Sequence, residues 1–415
     1  MADAFLVPGV RTPFVKASGS FLPYNALALS VPVAQAMNAR TAPDFVIWGQ
    51  VIPDATVTNI ARELIFEAKM SPTIPAFSTV MACSTSFVGA IQASGMVGHG
   101  SFHLAMVGGV ETMSHVPLAL KREFADAVFG QFTKNPAAAL ETLQKVTPGD
   151  FDLPVNGWAN RQSGRSMGQH TEDTAKHFQI PRDEQDKRAL LSHQNAIKGQ
   201  DEGFFKDLVI PFAGVDHDTI ARRDTTLEKL ASLRPAFDHE HGTLTAGNSS
   251  PNTDGAAALW VADAEGLKRL GNPPAVRFAD WEIAAMDWHE EGILMAPARA
   301  IPRLLARNKL TFADIDLWNI HEAFVAQVLA NVKAASDPVY RREKAGVDFD
   351  LGAFPWERVN PHGGSLAIGH PFAATGARIL SQAAKELGAM KVGSRAVVSV
   401  CADGGHGTVA LLERV

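Results

Sequence analysis

The sequence predicts an α/β protein of two similar halves separated by a helical insertion, and three observations lead there. Short apolar runs alternate with stretches of helical period along much of the chain. Two of those runs, FHLAMVGGV at 102–110 and RAVVSVCADGG at 395–405, are buried-strand patterns ending in a glycine pair, which points to an internal duplication. Between them, the stretch 117–252 is richer in charge and mostly of helical period, as in PLALKREFADAV and TEDTAKHFQIPRDEQDKRALLSHQNAIKG.

Taken in order, NALALSVPVAQAM (25–37) reads as a helix, DFVIWGQV (44–51) and AFSTVMAC (76–83) as strands, and STSFVGAIQASGMVG (84–98) as a helix leading to the strand FHLAMVGGV. The second half repeats the rhythm. PAVRFADWEI (274–283) and IDLWNIHEAF (315–324) read as strands, a helix starts near Phe324, and RAVVSVCADGG and TVALLERV (408–415) close the sheet. The expected division is 1–116 for the first half, continued in 253–274, then 117–252 for an inserted, mainly helical lid, and 275–415 for the second half.

Composition narrows the function. The 415 residues suffice for two or three domains with cores of their own, and 46% hydrophobic with 20% charged residues describes an ordinary globular chain. A net charge of -6 and the lack of a Lys/Arg tract give no field for nucleic acid. No stretch approaches the length of apolar sequence that spans a bilayer. The opening MADAFLVPGVRTPF has no signal-peptide pattern, so the cytoplasm is the expected location. Two cysteines, Cys83 and Cys401, argue for thiol chemistry or burial in place of a disulfide framework.

The chemistry-bearing residues fall at the ends of these elements. Cys83 lies between a strand-like run and a helix, where unpaired N–H groups and the helix dipole favour a thiolate. A lone cysteine is more often inert core, so its partners decide. His370 stands between Gly369 and Pro371, which fix the backbone on both sides and aim the ring, and a cysteine nucleophile needs such a base. Cys401 ends a buried strand and runs into ADGGHG, whose glycines let the backbone approach a ligand. His321 and Glu322 follow another strand; Val325 replaces the second histidine of a zinc-protease helix, and no metal is expected. His217, His239 and His241 sit in charged, turn-like sequence and read as solvated loop residues. There is no GxxxxGK[ST] loop and no GxGxxG opening a βαβ unit, so no bound nucleotide is indicated.

Together VMACSTSFVGA, GNSSPNTDGAAAL, NIHEAF, NPHGGSLAIGHPFAATGAR and CADGGHG resemble the thiolase family, in the family's order and over essentially the whole chain. His-Glu-Ala-Phe in place of the commoner Asn-Glu-Ala-Phe resembles the fatty-acid oxidation 3-ketoacyl-CoA thiolases of the trifunctional-enzyme β-subunit type. The resemblance implies a layered αβαβα core with a lid, and CoA-dependent cleavage of 3-ketoacyl-CoA in β-oxidation. It implies that Cys83 becomes acylated, that His370 takes its proton, and that Cys401 shuttles protons at the acetyl-CoA carbon and the CoA sulfur. It places His321 and His370 at one oxyanion hole, and the backbone N–H groups of Cys83 and Asp403 at the other. Asp403 stands where many members have glycine, so its side chain is expected to point away.

For the CoA handle the resemblance implies Met167 and Ser250 along the pantetheine, Phe324 as a further substrate- or CoA-binding residue, and Arg222 or Arg223 for the phosphates. No permanently bound cofactor is implied, coenzyme A being a substrate. A homodimer or larger assembly and an enoyl-CoA hydratase/3-hydroxyacyl-CoA dehydrogenase subunit are the implied partners. Three alternatives remain open: condensation of two acetyl-CoA by the same residues, a decarboxylating ketoacyl synthase, which would lack the second catalytic cysteine, and a non-catalytic subunit of the same fold.

Overall fold

The computed structural model describes residues 3–152 and 159–415. In the first half, β1 (Phe5–Arg11), α1 (Ala26–Arg40), β2 (Phe45–Gly49), α2 (Ile60–Glu67), β3 (Ala76–Phe77), α3 (Thr85–Gly98) and β4 (Leu104–Thr112) follow one another. The intervening segment holds α4 (Arg122–Phe132), α5 (Pro136–Leu143), α6 (Met167–His177) and α7 (Arg182–Asp201), plus a short ladder of Ala119–Leu120 with Phe151–Asp152. Then come β5 (Thr253–Ala262), β6 (Val276–Ala285), α8 (Pro297–Arg307), β7 (Leu317–Ile320), α9 (Val325–Ser336), α10 (Phe372–Gly388), β8 (Arg395–Ala402) and β9 (His406–Arg414).

The strands lie in the order β7-β8-β9-β6-β1-β5-β4-β2-β3, with Val15–Lys16 also paired to β5. Each half repeats one pattern. β2 runs parallel to β4, which is antiparallel to β5, which is antiparallel to β1; β7, β8, β9 and β6 repeat those relations. The two strands with glycine pairs, β4 and β8, therefore occupy equivalent places. The halves join through Phe5–Arg277 and Leu6–Val276 at the start of β1.

Alternation along the strands sorts the core into layers. Phe45, Ile47, Ala105 and Val107 face inward with Val398, Val400, Ala410 and Leu412 of the other half, onto α3 and α10. Val46, Trp48, Met106 and Trp260 face out, onto α1 and α2. Val397, Val409, Leu411 and Trp318 face out on the opposite side, onto α8 and α9. This is the expected αβαβα stack, and the full burial of Trp48, Trp260 and Trp318 contributes several kcal/mol.

Small residues let α3 and α10 meet in the middle. A Cβ at Gly376 would stand 2.3 Å from the Phe87 backbone nitrogen, and at Gly109 it would stand 2.3 Å from the Ala373 carbonyl. That explains the run FAATGA at the start of α10. AFSTVMAC, expected to be a full strand, pairs only at Ala76–Phe77. Beyond it, side chains replace the ladder: the Ser78 hydroxyl donates to Asn59 Oδ1, and Thr85 Oγ1 accepts from the Met81 N–H. Among the described residues no helix is long and apolar enough to cross a membrane.

Candidate active site

Cys83 sits in a single 3₁₀ turn, Ala82–Ser84, that runs directly into α3. Ala82 before it has φ 44°, a left-handed conformation that costs an alanine about 1 kcal/mol or more and aims the next side chain. Thr85 locks this elbow, donating from Oγ1 to the Ala82 carbonyl at 2.7 Å. His370 approaches from the other half, with Gly369 at φ 120° before it and Pro371 capping α10 after it. Its backbone N–H donates to Thr253 Oγ1 at 2.7 Å.

The ring of His370 bridges two partners. Nε2 lies 3.2 Å from Cys83 Sγ, and Nδ1 lies 2.6 Å from Thr375 Oγ1. The Thr375 hydroxyl already donates to the Pro371 carbonyl at 2.9 Å, so it accepts from His370 Nδ1–H. The proton is thereby fixed on Nδ1, and the Nε2 lone pair faces the thiol.

His321 follows β7 and is fully buried, its ring centroid 4.1 Å from that of His370. Asn360 extends the edge of β7 with its side chain, accepting from the Ile320 N–H and donating to the Ile320 carbonyl, each at 2.9 Å. Ser365 Oγ lies 2.7 Å from His321 Nδ1 and accepts from Arg378 Nη2 at 2.5 Å. The serine proton is free to point at His321 Nδ1, which puts the imidazole proton on Nε2. That nitrogen is buried and has no hydrogen-bond partner among the described residues. An unpaired buried donor beside the nucleophile is what a developing oxyanion requires.

The other two predicted residues close the site. Cys401, at 1% exposure, packs with Leu294, Met295 and Phe324, near enough to Cys83 that a thiolate there would raise its pKa. The main-chain N–H groups of Cys83 and Asp403 lie close enough to Cys83 Sγ to favour its thiolate. The Asp403 carboxylate is turned to Asn160 Nδ2 at 2.9 Å and to the Gly404 N–H at 2.6 Å.

Comparison with known proteins identifies the family. The models of the thiolase N-terminal and C-terminal domains match residues 4–265 and 272–414. The chain belongs to the thiolase family. It is 37% identical over 420 residues to a Vibrio cholerae protein named 3-ketoacyl-CoA thiolase, covering 98% of this chain and 96% of that one. An Aliivibrio fischeri protein of the same name is 35% identical, with 98% and 95% covered. Among solved structures, a Bacillus anthracis acetyl-CoA acetyltransferase matches with TM-score 0.82 at 28% identity, covering 100% and 99% of the two chains. Human mitochondrial 3-ketoacyl-CoA thiolase matches with TM-score 0.81 at 26% identity, again covering 100% and 99%.

Electrostatics departs from the thiolate expected for this thiolase-family elbow. Burial, with the Asp403 charge adding to it, pushes the Cys83 thiol up to about 12, outweighing the N–H groups at the helix start. Burial, then the Arg378 charge, pushes His370 down to about 3. Burial and His370 push His321 down as well. The pair is therefore neutral thiol and neutral imidazole, and the proton moves only as the sulfur attacks.

The cavity above Cys83 has a volume of about 210 Å³ and is lined by Met113, Met167, Phe237, Ser250, Phe324 and Phe372, together with His370 and Asp403. Met167, Ser250 and Phe324 thus line the same cavity as Cys83 and His370. Arg222 does not line this cavity; it is exposed, and its guanidinium makes no hydrogen bond or ion pair among the described residues. Arg223 is bound to Asp201 at 2.5 Å, leaving Arg222 as the free member of the pair. His217, His239 and His241 are exposed, and none of them lines the cavity.

Sequence reasoning missed the supporting groups. Thr253, Ser365, Thr375 and Arg378 lie inside the recognised motifs, but their roles depend on contacts across the fold. Glu111 gave no signal at all. It is fully buried, accepts from the N–H groups of Val51, Ile52 and Ala373, and is pushed up to about 8 by burial. Glu322 serves the frame: its carboxylate accepts from Ser192, Asn360 and the Leu366 N–H.

Proposed function

We propose that the chain cleaves 3-ketoacyl-CoA with CoA, as in fatty-acid β-oxidation, releasing acetyl-CoA and a shortened acyl-CoA through an acyl-Cys83 intermediate. The observation that carries the reading is the 3.2 Å contact between Cys83 Sγ and His370 Nε2, with the tautomer fixed by Thr375. As sulfur attacks the 3-keto carbon, the thiol proton passes to Nε2, which the tautomer leaves as an acceptor. The oxygen of that carbon collects charge between the N–H groups of Cys83 and Asp403. When the carbon–carbon bond breaks, the acetyl-CoA enolate oxygen is held by His321 Nε2–H and by His370, now protonated, while Cys401 gives a proton to the carbon. Cys401 then takes the proton of the incoming CoA thiol, whose sulfur attacks acyl-Cys83; the shortened acyl-CoA leaves, and the Cys83 sulfur recovers its proton from His370.

The finer assignments belong to the same proposal. Met167, Ser250 and Phe324 border the pantetheine, and Arg222 meets the phosphates. Residues 117–252 act as a lid on the halves 1–116 with 253–274 and 275–415, in a cytoplasmic homodimer or larger assembly that works with a hydratase/dehydrogenase subunit. The relatives named 3-ketoacyl-CoA thiolase support the degradative direction, while a structural relative named acetyl-CoA acetyltransferase keeps condensation as the rival. Rates with 3-ketoacyl-CoA of four to sixteen carbons test the choice: activity confined to four carbons favours condensation.

Cys401→Ala tests the division of labour. It is expected to leave acyl transfer from a simple acyl-CoA to Cys83 partly intact while removing carbon–carbon cleavage. Equal loss of both half-reactions would refute a separate role for the second thiol.

A further inference from the structure

Three soft or borderline donor atoms converge at the bottom of the cavity. Cys83 Sγ and one ring nitrogen each of His321 and His370 all lie within 4.8 Å of one another. His321 Nε2 is buried and unpartnered, and the Sγ–Nε2 contact of 3.2 Å is a few tenths of an ångström short of the ~3.5 Å S···N edge of a tetrahedral zinc site, where Zn–S is ~2.3 Å and Zn–N ~2.0–2.1 Å. The far nitrogens are anchored, His370 Nδ1 on Thr375 and His321 Nδ1 on Ser365, as histidine ligands usually are.

We propose that Cys83, His321 and His370 form a reversible inhibitory site for Zn²⁺. The three side chains supply three corners of a tetrahedron, and the fourth faces the cavity, open to a water molecule or to a substrate thiol. Binding converts the Cys83 thiol to a zinc-bound thiolate and releases its one proton to bulk solvent; no electron moves. His370 already presents its Nε2 lone pair. His321 must shift its proton from Nε2 to Nδ1, and the Ser365 hydroxyl allows this because it can turn from donor to acceptor while still accepting from Arg378. The Asp403 carboxylate, which opposes a bare thiolate at Cys83, favours a cation there. This site differs from a catalytic zinc: it consumes the nucleophile and both histidines, so the metal-bound chain has no free sulfur to acylate.

The test uses the full chain without CoA, so that its outcome is independent of turnover. Zn²⁺ is supplied from a chelator-buffered solution, bound metal is counted by mass spectrometry of the dialysed protein, and iodoacetamide labelling of Cys83 is mapped. One Zn²⁺ per chain is expected, with Cys83 labelling slowed at least ten-fold and restored by EDTA. Cys83→Ser and His321→Asn are each expected to weaken binding by ten-fold or more, since loss of even an outer-sphere partner of a ligand costs ~10–100-fold. Co²⁺ in place of Zn²⁺ is expected to show a thiolate charge-transfer band that Cys83→Ser, folded by circular dichroism, lacks. Zinc bound with Cys83 still freely labelled, or bound by either variant as tightly as by the wild type, would overturn the assignment.

Discussion

Each half of the molecule offers one reactive side chain two residues ahead of its central helix: Cys83 before Thr85 of α3, and His370 before Phe372 of α10. The parallel extends further. The preceding residue has positive φ in both, Ala82 at 44° and Gly369 at 120°. A threonine in the first turn holds both, Thr85 on the Ala82 carbonyl and Thr375 on the Pro371 carbonyl. The halves part company after β4 and β8. The second half turns through Asp403–Gly405 straight into β9, while the first leaves β4 at Thr112 and returns only at Thr253. The short turn brings a backbone N–H to the sulfur; the long excursion supplies Met167, Phe237 and Ser250 as cavity wall. Duplication thus accounts for the reacting pair, and the break in duplication accounts for the room beside it.

Breaking either side of the pair gives the largest effect. Cys83→Ala and His370→Ala are each expected to lower the thiolysis kcat on the order of 10⁴-fold or more, and the double variant to be no worse than the poorer single one, because the residues act as a unit. Additive losses in kcat would mean that the two halves contribute separately.

The halves also bury titratable groups of opposite sense. In the first, Glu111 is raised from 4.5 to about 8, so the folded state binds the extra proton; its contribution is intact below pH 4.5 and is lost as pH rises through 8. In the second, His370 is lowered from 6.5 to about 3; its contribution is intact above pH 6.5 and is lost as pH falls toward 3. Glu111→Gln is therefore expected to gain on the wild type by a few kcal/mol between pH 5 and pH 8, since each pH step of one across that window is worth ~1.4 kcal/mol. Urea unfolding at pH 5, 6.5 and 8 measures it, and a constant difference between the two proteins across that range would show that Glu111 titrates normally.

The strand ends that flank the pair differ as well. β2 ends at Gly49, where a Cβ would meet Thr85 Cγ2 at 2.1 Å, whereas β7 ends just before His321, whose ring reaches the site. If His321 donates to the oxyanion, His321→Ala is expected to lower turnover by ~100-fold, with little change in the KM for CoA. His321→Asn is expected to recover much of that loss, because an amide still donates. Thiolysis rate and melting temperature together decide, since activity that merely follows unfolding would make His321 a packing residue.

Much of this was legible in the sequence, for identifiable reasons. The glycine-paired strands disclosed the duplication because buried strands read as continuous apolar runs, and Gly369–His370–Pro371 disclosed an aimed ring because both neighbours restrict the backbone. The helix N-terminus points to a thiolate at Cys83 because it is a local signal, whereas the burial and the Asp403 charge that outweigh it come from distant parts of the chain. Glu111 was invisible for the same reason, since its three N–H donors come from residues 51, 52 and 373. AFSTVMAC looked like a strand because β-branched and apolar residues fill it, and only the side-chain bonds of Ser78 and Thr85 show why the ladder stops.

The smallest expected effect bears most directly on how alike the two elbows are. Gly369 and Ala82 both hold left-handed backbone, yet only one is glycine. At Gly369 an added Cβ would stand 3.0 Å from Phe14 Cβ and 3.2 Å from Thr253 Cγ2, so Gly369→Ala adds crowding to backbone strain and is expected to cost about 1–3 kcal/mol of stability. The crowded Thr253 also holds the His370 N–H, so turnover is expected to fall with it. Ala82→Gly runs the other way. It relieves a left-handed alanine, worth ~1–2 kcal/mol, but frees the unfolded chain by ~0.4–1 kcal/mol, so the net change is expected to be a gain in stability of ~0–1.6 kcal/mol. Its effect on rate then isolates what the strain does. The Thr85 bonds to Met81 and Ala82 remain in the variant, so if they alone aim Cys83, kcat is unchanged; if the alanine conformation aims it, kcat falls several-fold while the melting temperature holds.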